Sequence, residues 1–220
     1  MGSLFSPDSG FARAVSRVCD LMVLNVLFLI CCIPVVTAGG ASAALYTVTL
    51  GMAEERDGAV VRTFFRALKG SFFRGLAFEL IFAAAAALIL LGLSEVSAEP
   101  ETFSWVFNAV YLLAGAVLLL VMSWTWPLEA QFENPVGRTL KNALFLGLAH
   151  PLVSLAVIFL NLIPAALALF ATYWFLAGSF VWCLFGFSGI AAICSLLFSK
   201  VLRPYLKEKK EQQTGLLTEE

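Results

Sequence analysis

Between Asn142 and Ser199 the chain runs for 58 residues without an Asp, Glu, Lys or Arg, and His150 is the only histidine in it. Two more charge-free stretches, Leu21–Ala53 and Thr102–Leu128, lie upstream. A water-soluble fold interleaves apolar residues with charged surface and has no place for runs of that length. A bilayer does, since each spanning helix takes about 20 apolar residues and only helices or closed barrels satisfy their backbones in hydrocarbon. Composition agrees: 60% of the 220 residues are AVILMFWYC and 13% are charged, against about 25% charged in soluble domains. The expected fold class is all-α, a polytopic transmembrane helical bundle forming one domain over residues 1–205. Residues 206–220, basic then acidic, read as a disordered cytoplasmic tail. Disordered chains and disulfide-stapled secreted scaffolds are excluded. The net charge of −1 leaves no basic surface for nucleic acid. Cys19, Cys31, Cys32, Cys183 and Cys194 lack paired zinc spacing and are expected to pack as small buried hydrophobes.

The few charges orient the spans. Lys and Arg number five in 54–74, two in 127–143 and five in the tail from Lys200, with none in 94–104 or 163–174. Cytoplasmic loops carry the basic excess, so spans at about 75–93, 105–126, 144–162 and 175–198 alternate, with Pro164 ending or kinking the third. Arg13 and Arg17 also favour the cytoplasm, which requires an even number of crossings before Glu54. Leu21–Ala53 is short of two full spans and is interrupted by Pro34 and Gly39-Gly40. About six spans result if a first starts near Phe11 and a short second runs from about Ala41 to Glu54. The alternative is four spans plus a re-entrant N-terminal hairpin. Both ends are then cytoplasmic, in a multi-pass protein of the cell membrane. Arg13, Arg17 and the apolar run to Ala38 mimic a secretory signal, but the long lead-in with Asp20, and Asn25 and Pro34 within the run, favour a retained helix.

Within 60–74, Phe65, Leu68 and Phe72 recur at helical spacing while Arg62, Arg66 and Lys69 gather on another side. That pattern suits a helix in the cytoplasmic interface, where Arg62, Phe65, Arg66, Lys69 and Phe72 are a candidate docking surface. The small-residue pairs Gly39/Ala43, Gly40/Ala44, Ala38/Ser42 and the run Ala83–Ala87 let helices approach closely, within the chain or in a homo-oligomer. Ionisable and amide residues inside spans are costly in hydrocarbon. Glu79 lies about 7 Å beyond Arg74, and His150 about 13 Å beyond Lys141, at the helical rise. With Asp20, Asn25 and Glu129 they form a candidate intramembrane polar cluster, either a structural network or the lining of a cytoplasm-facing cavity. Asn108 and Asn161 read as interhelical hydrogen-bonders, and Trp105, Tyr173-Trp174, Trp124 and Trp126 as interfacial aromatics.

The chain contains no GxxxxGK[ST], HExxH or GxSxG, and one histidine cannot build a multi-histidine metal site. No span has a central Asp. The expectation is a protein that is not an enzyme and has no cofactor. No two halves repeat, which argues against a standard secondary transporter.

Several segments together resemble the YesL family of bacterial membrane proteins. They are the opening FSPDSGF with Phe5, Pro7 and Asp8; Asp20 and Asn25; Pro34 to Thr37 with Gly39; and Ala44-Leu45-Tyr46. Downstream, TFFRALKGSFFR (63–74), Phe132-Glu133-Asn134, LKNALFLGLAH (140–150) and FGFS (185–188) look like later family segments. The family has no established activity and is associated with gene clusters for uptake of complex carbohydrates, beside sugar-transport permeases and sensor kinases. The resemblance thus implies an accessory or regulatory partner of a carbohydrate uptake or sensing system, and it supplies no catalytic residue. The alternative is a small-solute transporter or channel using the polar cluster around Glu79 and His150.

Overall fold

The computed structural model describes residues 10–56, 58–96, 104–132, 134–170, 178 and 181–218. Helix α1 (Gly10–Cys32) ends at Ile33-Pro34, because proline has no N–H to donate and biases the residue before it toward extended backbone. Helix α2 (Val35–Ala53) starts at once, and the Thr37 hydroxyl donates across the break toward the carbonyls of Cys31 and Pro34. The rest of the bundle is α3 (Val60–Val96), α4 (Ser104–Gln131), α5 (Val136–Ala149), α6 (Pro151–Phe170), a π-helical turn Trp182–Gly186, and α7 (Phe187–Thr218). Every regular element among the described residues is helical.

Five of these helices, α1, α2, α3, α4 and α7, are long and apolar enough to cross a membrane. Counting the bent α5–α6 pair as one span makes six. The protein is a membrane-embedded helical bundle. Helices α1 and α2 each carry an apolar window of 18–19 residues, as the six-span reading requires. However, α2 begins at Val35 rather than near Ala41, and the glycine pair lies inside it.

Those glycines are contact surface and do not break the helix. Helix α2 is buried on nearly every side, from Gly39 through Leu50, with α3, α4, α7 and α1 around it. At its crossing with α3 the backbones touch. A Cβ on Gly75 would stand 2.4 Å from the Gly40 nitrogen, and one on Gly39 would stand 2.3 Å from the Gly75 carbonyl oxygen. In lipid there is no hydrophobic drive between helices, so close backbone approach and its dispersion contacts do the packing. Toward α7, Thr49 and Ser195 share a hydrogen bond of 2.7 Å, and the Tyr46 ring meets Phe198 edge-on.

Several expectations meet a different arrangement here. Residues 60–74 do not form a separate interfacial helix; they are the first part of α3, whose 37 residues run about 55 Å at 1.5 Å each. Leu68 and Phe72 press on α2 at Gly40, while Phe65 and Phe73 are exposed and Phe64 is fully buried. The span expected at 144–162 is broken at His150 by a 107° bend, since Pro151 cannot continue the hydrogen-bond ladder of α5. Pro164 neither ends α6 nor borders it; the helix runs on to Phe170. Helix α7 is helical through Thr218, well into the residues read as a tail. Of the five cysteines, all free, only Cys194 is buried. Phe5, Pro7, Asp8, Glu133, Tyr173 and Trp174 lie outside the described residues.

Substituting Gly75→Ala forces α2 and α3 apart along their backbones and is expected to cost about 1–3 kcal/mol. Gly70→Ala, on the same helix with open space around it, is expected to gain up to about 1 kcal/mol from helix propensity. Thermal unfolding of both variants in one detergent checks the pair: Gly75→Ala melts lower than the parent chain, Gly70→Ala no lower.

Candidate functional site

Asn25 is fully buried on α1 and faces the π-helical turn that opens into α7. Its amide nitrogen donates to the carbonyls of Trp182 at 3.1 Å and Cys183 at 2.7 Å. Its oxygen accepts from the N–H groups of Phe187 at 3.0 Å and Ser188 at 2.9 Å. A side-chain amide offers two donor hydrogens and two acceptor lone pairs, and all four are used. A π-turn shifts the ladder by one residue and leaves backbone groups at its ends without helical partners, which Asn25 supplies. The turn itself is shaped by Gly186, where a Cβ would fall 2.0 Å from the Trp182 ring.

Glu79 reaches from α3 across the glycine crossing, and its carboxylate accepts the Gly39 N–H at 3.0 Å. Gly39 is the fifth residue of α2, past the four open donors of the helix start, so this bond ties two helices together and does not cap one. One turn earlier on α3, Arg74 forms an ion pair at 2.6 Å with Glu129 of α4, whose side chain is wholly buried. The pair sits beside an aromatic cluster in which Phe78 and Phe82 meet the Trp126 ring edge-on. It fixes α4 against α3 at one level.

His150 occupies the corner between α5 and α6. It stacks on Trp124 with centroids 6.3 Å apart. The Trp124 indole N–H donates to the Ser154 hydroxyl at 2.8 Å, and that hydroxyl in turn lies 2.8 Å from the Gly147 carbonyl. The bend is thus held by a buried tryptophan of a third helix. Gly147 is small because a Cβ there would strike Leu120. Asp20, on the same helix as Asn25, lines a crevice at the far end of α1 and α2.

The five residues of the candidate polar cluster therefore go to different places. Asn25 clamps the start of α7, Glu79 bonds the α2 backbone at Gly39, Glu129 ties α4 to α3, His150 turns α5 into α6, and Asp20 faces a polar crevice. Of the candidate docking residues, Arg62, Phe65, Arg66 and Lys69 are exposed, while Phe72 is half-buried against α2.

Two features went unmarked in the sequence. One is the Trp124–Ser154 hydrogen bond, whose only local sign is a serine three residues after Pro151. The other is an apolar cavity of about 360 Å³ among α1, α2, α4, α6 and α7. Its polar lining includes Ser42, Ser123, Asn161 and the buried Tyr46, whose hydroxyl pairs with Asn161 and Cys194. Asn161 also donates to its own helix at Val157. Glu79 and His150 line neither this cavity nor the crevice at Asp20. Among the described residues no three His, Cys, Asp or Glu side chains are placed to hold a metal ion.

A family model described as "Protein of unknown function, DUF624" matches residues 21–93, a span that runs from Leu21 in α1 through α2 to Leu93 in α3. No curated protein and no solved structure matches the chain.

Asn25→Leu keeps the side-chain volume and removes the four hydrogen bonds that Asn25 makes to the π-turn and the start of α7. Each orphaned buried backbone group costs about 1–3 kcal/mol, so the variant is expected to lose at least about 2 kcal/mol even if the turn relaxes. Thermal unfolding gives the loss. Thiol labelling at Cys183, already exposed, is expected to change rate as the turn rearranges; an unchanged melting temperature and labelling rate would show that the clamp carries nothing.

Proposed function

We propose that this chain is an accessory protein of the YesL type in the bacterial cell membrane. In this role it holds a carbohydrate-transport permease or a sensor kinase and does not itself move a solute. The observation that carries the proposal is where the intramembrane polar groups go. Asn25 spends its whole hydrogen-bonding capacity on α7, Glu79 is bonded to the backbone of α2, and Glu129 is paired with Arg74. A polar side chain is expensive in hydrocarbon and marks a pathway when it faces water; here these groups serve helix–helix contacts. Support for the family comes from the match over residues 21–93 together with the order of the quoted motifs. The positive-inside rule, applied to the basic segments, supports a cytoplasmic side for both ends and the 54–74 region. The partner surface is then the exposed side of α3 at Arg62, Phe65, Arg66 and Lys69, next to the inner leaflet.

A photo-crosslinking residue placed at Phe65 or Lys69 in the native membrane is expected to recover a permease or kinase subunit. The same residue at lipid-facing Leu152 is expected to recover none. The opposite reading, transport through the Glu79 and His150 region, wins if solute uptake is abolished by Glu79→Gln or His150→Ala in variants that still fold.

A further inference from the structure

At the polar end of the first two helices, a crevice of about 600 Å³ opens between α1, the last turns of α2, the 54–59 turn and the start of α3. Its charged lining is Arg17 and Asp20 from α1, Glu55 and Arg56 from the turn, and Arg66 from α3, with the Thr63 hydroxyl beside them. Among the described residues, three guanidinium groups thus face two carboxylates. The three are not equally occupied. Arg56 is engaged by Glu54 and by Gln131 of α4. Arg17 approaches Glu55 only to 3.7 Å, and that glutamate is 84% exposed, a geometry worth little in water. Arg66 has no carboxylate partner among the described residues.

The turn that brings these groups together is built at a cost. Glu55 adopts φ 55°, a left-handed conformation that disfavours a side chain by about 1–3 kcal/mol and gathers at functional sites. It is held there by a helix-terminating pair of bonds, Glu55 N–H to Met52 and Arg56 N–H to Gly51, the pattern that usually employs glycine. A glutamate in that place keeps a carboxylate on the rim.

We propose that this crevice binds a phosphate ester whose other substituent carries a hydrogen-bond donor, a hydroxyl or a primary ammonium, which the quaternary ammonium of phosphatidylcholine lacks. Guanidinium forks match phosphate oxygens in pairs. Arg66 and Arg17 take the phosphate, Thr63 adds a hydroxyl donor, and Asp20 accepts from the substituent. The acid explains the mixed charge: a bare anion gains nothing from Asp20, whereas a ligand with donors next to its phosphate meets both signs. Two sources supply that chemistry, a phospholipid headgroup such as phosphatidylglycerol and a soluble ester such as glycerol 3-phosphate.

The test uses the full chain in phosphatidylcholine nanodiscs. One arm titrates glycerol 3-phosphate and inorganic phosphate by calorimetry; the other adds phosphatidylglycerol to the nanodiscs and counts retained lipids by native mass spectrometry. Saturable binding in at least one arm is expected, and the arm that binds names the source. Arg66→Gln and Arg17→Gln are expected to weaken it about tenfold each, the loss of one charge-assisted contact. Arg138→Gln, the same charge change on exposed α5, is expected to leave it unchanged. Asp20→Asn is expected to preserve phosphate binding and to remove the preference for glycerol 3-phosphate or phosphatidylglycerol. Arg66 is exposed, so its variant keeps the fold, which a matching melting curve verifies. The proposal is overturned if neither arm saturates, or if Arg138→Gln weakens binding as much as Arg66→Gln.

Discussion

The close crossing of α2 and α3 at Gly39, Gly40 and Gly75 is the contact on which the remaining architecture rests. With backbones this near, α2 sits in the middle of the bundle, and every other helix is positioned by reference to it. Glu79 can reach the Gly39 N–H only because nothing larger than hydrogen separates the two helices there. Setting α3 then sets Arg74, whose ion pair with Glu129 fixes α4. Helix α4 carries Trp124, and the Trp124–Ser154 hydrogen bond holds the corner at His150. The chain of dependence runs from three glycines to a bend two helices away.

The second constraint is the absence of water as a hydrogen-bond partner. In hydrocarbon each backbone or side-chain polar group needs a protein partner. The bundle meets this with long-range side-chain to backbone bonds: Asn25 to the π-turn, Glu79 to α2, Ser154 to Gly147, Thr37 to the α1–α2 break. All but the Glu79 bond sit where a helix starts, bends or changes pitch, because those are the places where ladder bonds are lost. The polar residues that a sequence marks as candidates for chemistry are thus also those that an irregular membrane helix needs for its own backbone. The proposed accessory role rests on this economy, and the crevice at Asp20, proposed to bind a phosphate ester, stands apart from it: it lies at the polar end and is lined by charged side chains.

Local signals were legible where one residue decides the backbone. Pro34 ends α1, readable as a missing donor, whereas the break at Pro151 went unread within the span expected at 144–162. The long uncharged runs, and the even number of crossings before Glu54, point to the helices found. The errors have a common cause. Gly39-Gly40 reads both as an interruption and as small-residue packing surface; the second reading holds, but its partner Gly75 lies 35 residues away from Gly40. His150 reads as mid-span because the run around it is uniformly apolar, yet the corner needs Trp124 to hold it. Asn25, Glu79 and Glu129 read as one cluster from depth alone; in the structure their partners are the π-turn, α2 and α3 respectively.

By itself the sequence determined the class and the budget of polar groups: a helical membrane bundle with most of its charges at the ends of spans, because charge is costly in lipid. Only the tertiary structure decided which face each helix turns inward. In water an apolar face and a buried face coincide, but in a bilayer lipid-facing and core-facing residues are equally apolar. Phe64 and Phe73 lie nine residues apart on one helix; the first is fully buried and the second is 81% exposed. The choice between them rests on shape, on glycines opposite glycines and one amide opposite a π-turn, and shape at that range is written in pairs of residues far apart in the chain.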